Sequence, residues 1–295
     1  MGVMKRRLRM KIRIDAEPTK IFDAVTNPLK LSIWFCNKGE VNLKVRGAIR
    51  MSGENCAATT FREKEIVGSI TELDPNRLIK FTWPINGTQS EVTWQIDEKR
   101  NFCDFLVTHD KIPDNSMMMD AWLIYLYNLQ SLLHVNRPSY RLDYARLDKG
   151  TIRRELFIEA LPPAIFKALT DQRDLRVWFS SDAEVDAQVD GKYLTGWKDA
   201  NGNPDGSQKI VELVENKKLA YDWRYSGGPA GDLVTWELLR IGEKTRVTVK
   251  HSGFPPEVDT KGFTQGWHAF ILGLKDFCET RGRMSYTIID GDWSA

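Results

Sequence analysis

Two histidines stand at corresponding places in this sequence. His109 and His251 are 142 residues apart, and each ends a run in which apolar residues occupy every second position. Such alternation is typical of a strand with one buried face, so both imidazoles are predicted to lie on an apolar sheet face. A histidine there could act as an acid, a base or a polar anchor for a ligand. No nucleophile or carboxylate accompanies it in sequence at both places, which favours a buried histidine bonded to backbone. We therefore assign no catalytic residue.

Large aromatic residues share the strand parity of these histidines. On a concave sheet they could frame a mostly apolar pocket of the kind that binds small molecules, or they could simply fill the interior. Both interpretations stay open at this point. The candidate ligand-binding residues are Tyr193, Tyr221, Trp223, Trp236, Val249, His251, Trp267 and Ile271 in the second half of the chain, and Trp83, Trp94, His109 and Trp122 in the first half.

Two other motifs indicate structure rather than chemistry. The segment 201–206, followed by Glu212, nearly fits a calcium-binding loop, but its flanks are predicted strands rather than helices. A tight turn is the better interpretation, and we expect no metal and no cofactor. The basic run from Lys5 to Arg13 alternates strictly, so its charges form the solvated face of a strand rather than a nucleic-acid surface.

Composition excludes several classes of protein. The 295 residues carry a net charge of only +2, with 42% hydrophobic and 28% charged residues, which is ordinary for a soluble globular protein. The N-terminus is basic without the apolar core of a signal peptide, and no run is long enough to span a membrane. The four cysteines form no C-x-x-C pair and are expected to be reduced thiols. We expect a cytoplasmic protein that does not bind nucleic acid.

The same order of elements can be traced twice along the chain. An alternating strand comes first, followed by a proline-led helix, a second short helix, a series of short strands about ten residues apart, and a long helix with a broad apolar stripe. A twisted antiparallel sheet wrapped around the long helix would bury both apolar surfaces. The sequence therefore predicts an α+β fold.

An internal repeat supports this assignment. At a spacing of 144 residues the register runs without gaps from Ile14 to Gly47. Beyond that range the spacing drifts between 140 and 145, as loops of different length require. The clearest matches pair Ile21-Phe22 with Ile165-Phe166, Trp34-Phe35 with Trp178-Phe179, Gly47 with Gly191, Trp83 with Trp223, Trp94 with Trp236, and Trp122 with Trp267.

The second copy resembles a known family. Its marks are Ala160–Thr170, Trp178-Phe179, Gly191-Lys192-Tyr193, Thr245–Phe254 and Gly266-Trp267. They resemble the START-like helix-grip fold of the SRPBCC superfamily, and within it the homologues of the C-terminal domain of the heat-shock-protein-90 ATPase activator. The first copy lacks the Ser-Gly-Phe that follows His251 and the glycine before Trp267, so it is the more diverged.

The predicted organisation is two tandem helix-grip domains. The first covers residues 5–135, a linker covers 136–150, the second domain covers 151–283, and 284–295 is a tail that either adds a strand or stays loose. The resemblance implies an apolar cavity between sheet and helix, and the better-kept second copy is the first place to expect a ligand.

Three functions follow from these observations. The leading one is binding of a hydrophobic small molecule or lipid, with no membrane span, by a monomer or homodimer. The first alternative, which the resemblance implies, is a chaperone-associated or stress-response interaction module. The second is a cyclase- or hydrolase-type enzyme of the same superfamily, for which polar residues in the cavity would be required.

Overall fold

The structure is a computed structural model that describes residues 5–113, 117–146, 148, 150–198, 202, 205–224, 231–254 and 259–291. The chain divides into two compact units. The first runs to Arg146 and includes the late strand Tyr286–Asp290, and the second lies between residues 147 and 285. Among the described residues, no helix is long and apolar enough to cross a membrane.

The first unit is one antiparallel sheet with a long helix on its inner face. Trp122 on the helix contacts Trp83 and Trp94 on two strands of the sheet. The elements are β1 (Lys5–Ile14), α1 (Pro18–Thr26), α2 (Pro28–Trp34), β2 (Lys38–Val41), β3 (Ala48–Ser52), β4 (Glu65–Asp74), β5 (Leu78–Ile85), β6 (Thr88–Glu98), β7 (Cys103–Pro113), α3 (Met118–Val135) and β15 (Tyr286–Asp290), with a short 3-10 helix at Ala57–Thr60.

Strand order in this sheet is β15-β1-β7-β6-β5-β4-β3-β2. Burial alternates residue by residue along β5, as its sequence predicts, because successive side chains point to opposite faces. The tail, for which the sequence leaves two outcomes open, forms β15 and pairs antiparallel with β1, with Met10 opposite Ile288. The strand β1 thereby gains a neighbour on each side.

The second unit repeats the plan with a smaller sheet. Five strands follow the order β11-β12-β13-β14-β8, while β9 and β10 form a separate pair that is joined to β11 by one bridge, Lys192 to Lys209. The elements are β8 (Ile152–Ile158), α4 (Pro162–Thr170), α5 (Gln172–Trp178), β9 (Glu184–Val185), β10 (Tyr193–Leu194), β11 (Gly206–Val214), β12 (Lys218–Arg224), β13 (Asp232–Ile241), β14 (Lys244–Ser252) and α6 (Lys261–Glu279).

The repeated tryptophan of each Trp-Phe pair performs the same task in both units. The indole Nε1–H of Trp34 donates to the carbonyl oxygen of Ala24 at 2.9 Å, and that of Trp178 donates to Ala168 at 2.9 Å. Each bond ties the second short helix to the first. Tryptophan is suited to this position because it fills the core and also supplies a donor for a buried carbonyl.

The repeated glycine also has a physical reason. A Cβ atom at Gly47 would lie 1.9 Å from the carbonyl oxygen of Asn42, and one at Gly191 would lie 2.2 Å from that of Asp186. Any side chain would collide with backbone in this turn. Glycine is therefore required in both copies by close approach of the chain to itself.

Candidate functional site

His109 lies in a continuous chain of hydrogen bonds inside the first unit. The indole Nε1–H of Trp122 donates to His109 Nδ1 at 3.1 Å, and His109 Nε2 lies 2.8 Å from Ser90 Oγ. Because an indole can only donate, Nδ1 is the acceptor and the proton of the neutral ring sits on Nε2. Nε2–H therefore donates to Ser90, whose hydroxyl donates in turn to the carbonyl of Trp83.

This environment keeps His109 neutral. The side chain is fully buried, and burial lowers its pKa from 6.5 to about 3. The ring of Trp83 stacks on the imidazole with centroids 5.1 Å apart. Both ring nitrogens are engaged, so in this unit the histidine is a polar element of the core rather than an exposed acid or base.

His251 repeats half of that arrangement in the second unit. Trp267 Nε1–H donates to His251 Nδ1 at 2.9 Å, which again places the proton on Nε2. The imidazole is fully buried, and burial lowers its pKa to about 3. Nε2 has no hydrogen-bond partner and lies 3.6 Å from Asp232 Oδ2. Burial also raises the pKa of the Asp232 carboxyl.

The interior of the first unit is filled by interlocking rings around Phe35. The Phe35 ring stacks on Tyr125 with centroids 4.0 Å apart. It also contacts Trp83 and Trp94 at 6.0 and 5.7 Å. These four side chains are at most 1% exposed. Offset and edge-to-face ring contacts of this kind stabilise a core beyond the area that they bury.

Two segments close this ring cluster from outside. The backbone N–H of Ala57, in the 3-10 helix, donates to the hydroxyl of Tyr125 at 2.6 Å. Tyr144, from the chain that follows α3, lies with its ring 6.1 Å from that of Tyr125, and its N–H donates to the carbonyl of Glu54 at 2.7 Å. The aromatic cluster of the first unit is thus covered by its own chain.

The second unit has an inner cluster built on a different pattern. Tyr193 stacks on Tyr221 with centroids 4.3 Å apart, and Trp236 Nε1–H donates to the Tyr221 hydroxyl at 3.1 Å. The Tyr193 hydroxyl donates to the carbonyl of Leu169. Val249 and Ile271 are buried among the other core side chains of this unit.

Towards the His251 end, the rings of the second unit reach solvent. Trp197, Phe263 and Phe270 are half-buried, unlike the ring cluster of the first unit. Trp197 stacks on Phe270 at 5.7 Å and contacts Trp223 at 5.8 Å, while Phe263 lies 5.1 Å from the His251 ring. We call Trp197, Trp223, Phe263 and Phe270 the aromatic mouth.

All twelve candidate residues are at most 4% exposed, both those placed inside by strand parity and Trp122, Trp267 and Ile271 on the long helices. Sequence reasoning missed the groups that face the histidines. Ser90 and Asp232 stand at the same 142-residue spacing as His109 and His251, a signal that would have found them. It also did not select Trp197, which lies outside the strand pattern, or Phe263 and Phe270, which belong to the apolar stripe of α6.

The structure describes only part of the segment that nearly fits a calcium-binding loop. Asn201, Asn203 and Pro204 of the calcium-like loop lie outside the described residues. Within the described ranges, no group of three or more His, Cys, Asp or Glu side chains is arranged to hold a metal ion.

The four cysteines are free thiols, and burial raises the pKa of Cys36 and Cys56 to about 12.

Two antiparallel sheets, each packed against a long helix whose tryptophan donates to a buried histidine, define a tandem helix-grip protein. The chain belongs to the family of activator of Hsp90 ATPase homolog 1-like proteins, whose family model matches residues 15–134 and again 159–279. The α+β fold of two tandem helix-grip domains and the resemblance noted in the sequence are both confirmed.

Several solved structures are similar to this chain. DynU16, from the dynemicin biosynthetic locus, is 14% identical with a TM-score of 0.38, and the match covers 95% of this chain and all of that one. The Aha1 dimer of Colwellia psychrerythraea is 25% identical with a TM-score of 0.38, over 44% of this chain and 96% of that one. CalU16 of Micromonospora echinospora is 20% identical with a TM-score of 0.37, over 44% and 75%. A comparison with curated proteins found no match.

Proposed function

We propose that the second domain binds a hydrophobic small molecule or lipid at its aromatic mouth, and that the first domain is mainly structural. The observation that carries the proposal is the difference between the two ring clusters. In the first domain the rings are covered by the 3-10 helix and by Tyr144, whereas Trp197, Phe263 and Phe270 are half-buried in the second.

Physical chemistry favours a ligand at this place. Partly exposed aromatic rings that lie side by side form an apolar surface with a defined shape, and a contiguous apolar surface on a soluble protein is characteristic of a binding site. The mouth also adjoins a buried polar group, His251. A mostly apolar lining with one or two polar groups is the usual composition of a small-molecule site.

The test uses N-phenyl-1-naphthylamine, an uncharged probe whose fluorescence rises in apolar surroundings. The full chain is titrated with the probe, together with two variants that each remove a half-buried aromatic ring. W197A removes a ring of the mouth, and F102A removes the ring beneath Arg13 in the first domain, away from the ring cluster.

We expect the wild type and F102A to bind the probe with equal affinity. W197A should bind about twofold to twelvefold more weakly, because one aromatic contact contributes about 0.5–1.5 kcal/mol. Absence of probe binding to the wild type up to its solubility limit would contradict the proposal. Equal binding by W197A and the wild type would show that the probe sits elsewhere.

Family membership favours a second candidate, regulation of an Hsp90-type chaperone. In that role the protein would raise ATP turnover by the chaperone from the same organism, and the rise would saturate as more protein is added. The measurement is a coupled ATPase assay with and without a specific Hsp90 inhibitor. An inhibitor-sensitive rate that stays constant at high molar excess of the protein would eliminate this candidate.

A further inference from the structure

The two domains differ at one position beside the buried histidine. Ser90 on β6 and Asp232 on β13 each stand two residues before a valine, Val92 or Val234, that lies directly opposite the histidine in the sheet. The first domain therefore presents a hydroxyl to its histidine, and the second presents a carboxylate at the same place.

In the first domain the serine hydroxyl completes the hydrogen bonding. It accepts from His109 Nε2–H at 2.8 Å and donates its own proton to the carbonyl of Trp83. A hydroxyl can do both because it is donor and acceptor at once. The polar chain ends on a backbone carbonyl, and no group of the imidazole is left without a partner.

In the second domain the same donor remains unpaired. His251 Nε2 is fully buried and without a hydrogen-bond partner, and the 3.6 Å to Asp232 Oδ2 is too long for a hydrogen bond. Trp267 holds Nδ1 as an acceptor, so the ring cannot turn its proton elsewhere. A buried donor without a partner costs free energy that a suitable acceptor recovers.

Donor and acceptor together define what would fit between them. Nε2–H can only donate, and an ionised Asp232 can only accept. One hydroxyl group placed against both would accept from the histidine and donate to the carboxylate. Aromatic rings surround this place, with the Phe254, Phe263 and Trp223 centroids 4.2, 5.1 and 5.3 Å from that of the imidazole.

We propose that the second domain selects aromatic ligands that carry a hydroxyl group, and that this hydroxyl is held between His251 Nε2 and Asp232 Oδ2. The inference rests on the proposed function, because the aromatic mouth would hold the ligand's ring while His251 and Asp232 form hydrogen bonds with its hydroxyl group. Ser90 takes the place of such a ligand group beside His109 in the first domain.

The experiment compares 2-naphthol with naphthalene, which share a ring system and differ in one hydroxyl. Binding of each to the full chain is measured by quenching of tryptophan fluorescence. The matched variant is D232S, which gives the second domain the serine that satisfies His109 in the first. Near-UV circular dichroism checks that the variant is folded.

For the wild type we expect 2-naphthol to bind about tenfold to a hundredfold more tightly than naphthalene, the range for a hydrogen bond to a charged group in a buried site. D232S should bind naphthalene unchanged and lose most of the preference. Equal binding of the two probes by the wild type, or an undiminished preference in D232S, would overturn the inference while leaving the proposed function intact. Failure of both probes to bind would count against the proposed function and this inference together.

A second measurement needs no variant. The Nε2–H proton of His251 is buried, so it should exchange slowly enough to give an NMR signal, and a new acceptor would move that signal downfield. Addition of 2-naphthol should shift that signal, whereas naphthalene should leave it within the range of ring-current changes. A signal that responds equally to both probes would overturn the inference even if D232S does not fold.

Discussion

Acid should destabilise the first domain through His109. The native ring is neutral with a pKa lowered to about 3, whereas in the unfolded chain the same ring titrates near 6.5. Between these values the unfolded state binds a proton that the native state does not. The free energy of unfolding therefore rises with pH across this window, and it decreases as pH falls below about 6.5.

The size of the effect follows from the pKa difference. Each pH unit within the window is worth about 1.4 kcal/mol per histidine, so a change from pH 6.5 to 4.5 should remove about 2 kcal/mol. Because His109 is fully buried, solvent screening should reduce this free-energy difference only slightly. Protonation of Nδ1 would also displace the Trp122 indole N–H, so the native state has no easy way to accept the proton.

The assay is urea unfolding of the full chain at the two pH values, followed by tryptophan fluorescence, for the wild type and H109Q. The H109Q variant should be less stable than the wild type at both pH values, but its glutamine does not titrate. The relevant unfolding transition is the one that the H109Q substitution shifts. For that transition, the free energy of unfolding lost between pH 6.5 and 4.5 should be about 2 kcal/mol smaller in H109Q than in the wild type. Carboxylates contribute equally to both proteins and cancel in the difference.

H251Q is the matched control, because it removes the corresponding histidine of the second domain and should leave the transition affected by H109Q unchanged. An identical pH dependence in H109Q and the wild type would refute the reasoning, since it would show that His109 has the same pKa in the folded and unfolded states.

Three further predictions follow from the structure. Replacement of Gly47 by alanine should cost at least about 3 kcal/mol or prevent folding, because its Cβ would meet a carbonyl oxygen at 1.9 Å. The alanine variant of Gly231, where a Cβ meets nothing within 4 Å, should unfold in urea like the wild type. Replacement of Ser90 by alanine leaves Nε2–H of His109 without its acceptor and should lower the free energy of unfolding by about 1–3 kcal/mol, whereas S90T should restore most of it. The Cys36 thiol, whose pKa burial raises to about 12, should react with a disulfide reagent only after unfolding, so rapid labelling of the native protein would contradict its burial.

Much of the fold could be predicted from sequence because its signals are local. Alternation along β1 and the helical stripes of α3 and α6 report which face of an element is buried, and that follows from the backbone period alone. The spacing of Trp34 and Trp178 revealed the duplication without any knowledge of contacts. Both tryptophans then proved to make the same bond between short helices.

The site itself was only half predictable. Parity placed His109 and His251 on the inner face, and this is where they lie. Their partners depend on which residues the register brings opposite each other across neighbouring strands, and that register is a long-range property. The backbone-bonded histidine favoured from sequence is therefore corrected for His109: its two partners are side chains, Ser90 and Trp122.

By itself, the sequence determined the repeat of the domain, the class of the fold and the inward face of β1, β5–β7 and β12–β14, because each depends on periodicity or on similarity between the two halves. The tertiary structure decided that Ser90 satisfies one histidine while Asp232 leaves the other unpaired. It also decided that Tyr144 covers the rings of the first domain and that the tail pairs with β1. These features arise where segments far apart in the chain meet, and the free energy of such contacts is set by packing and burial that no local pattern records.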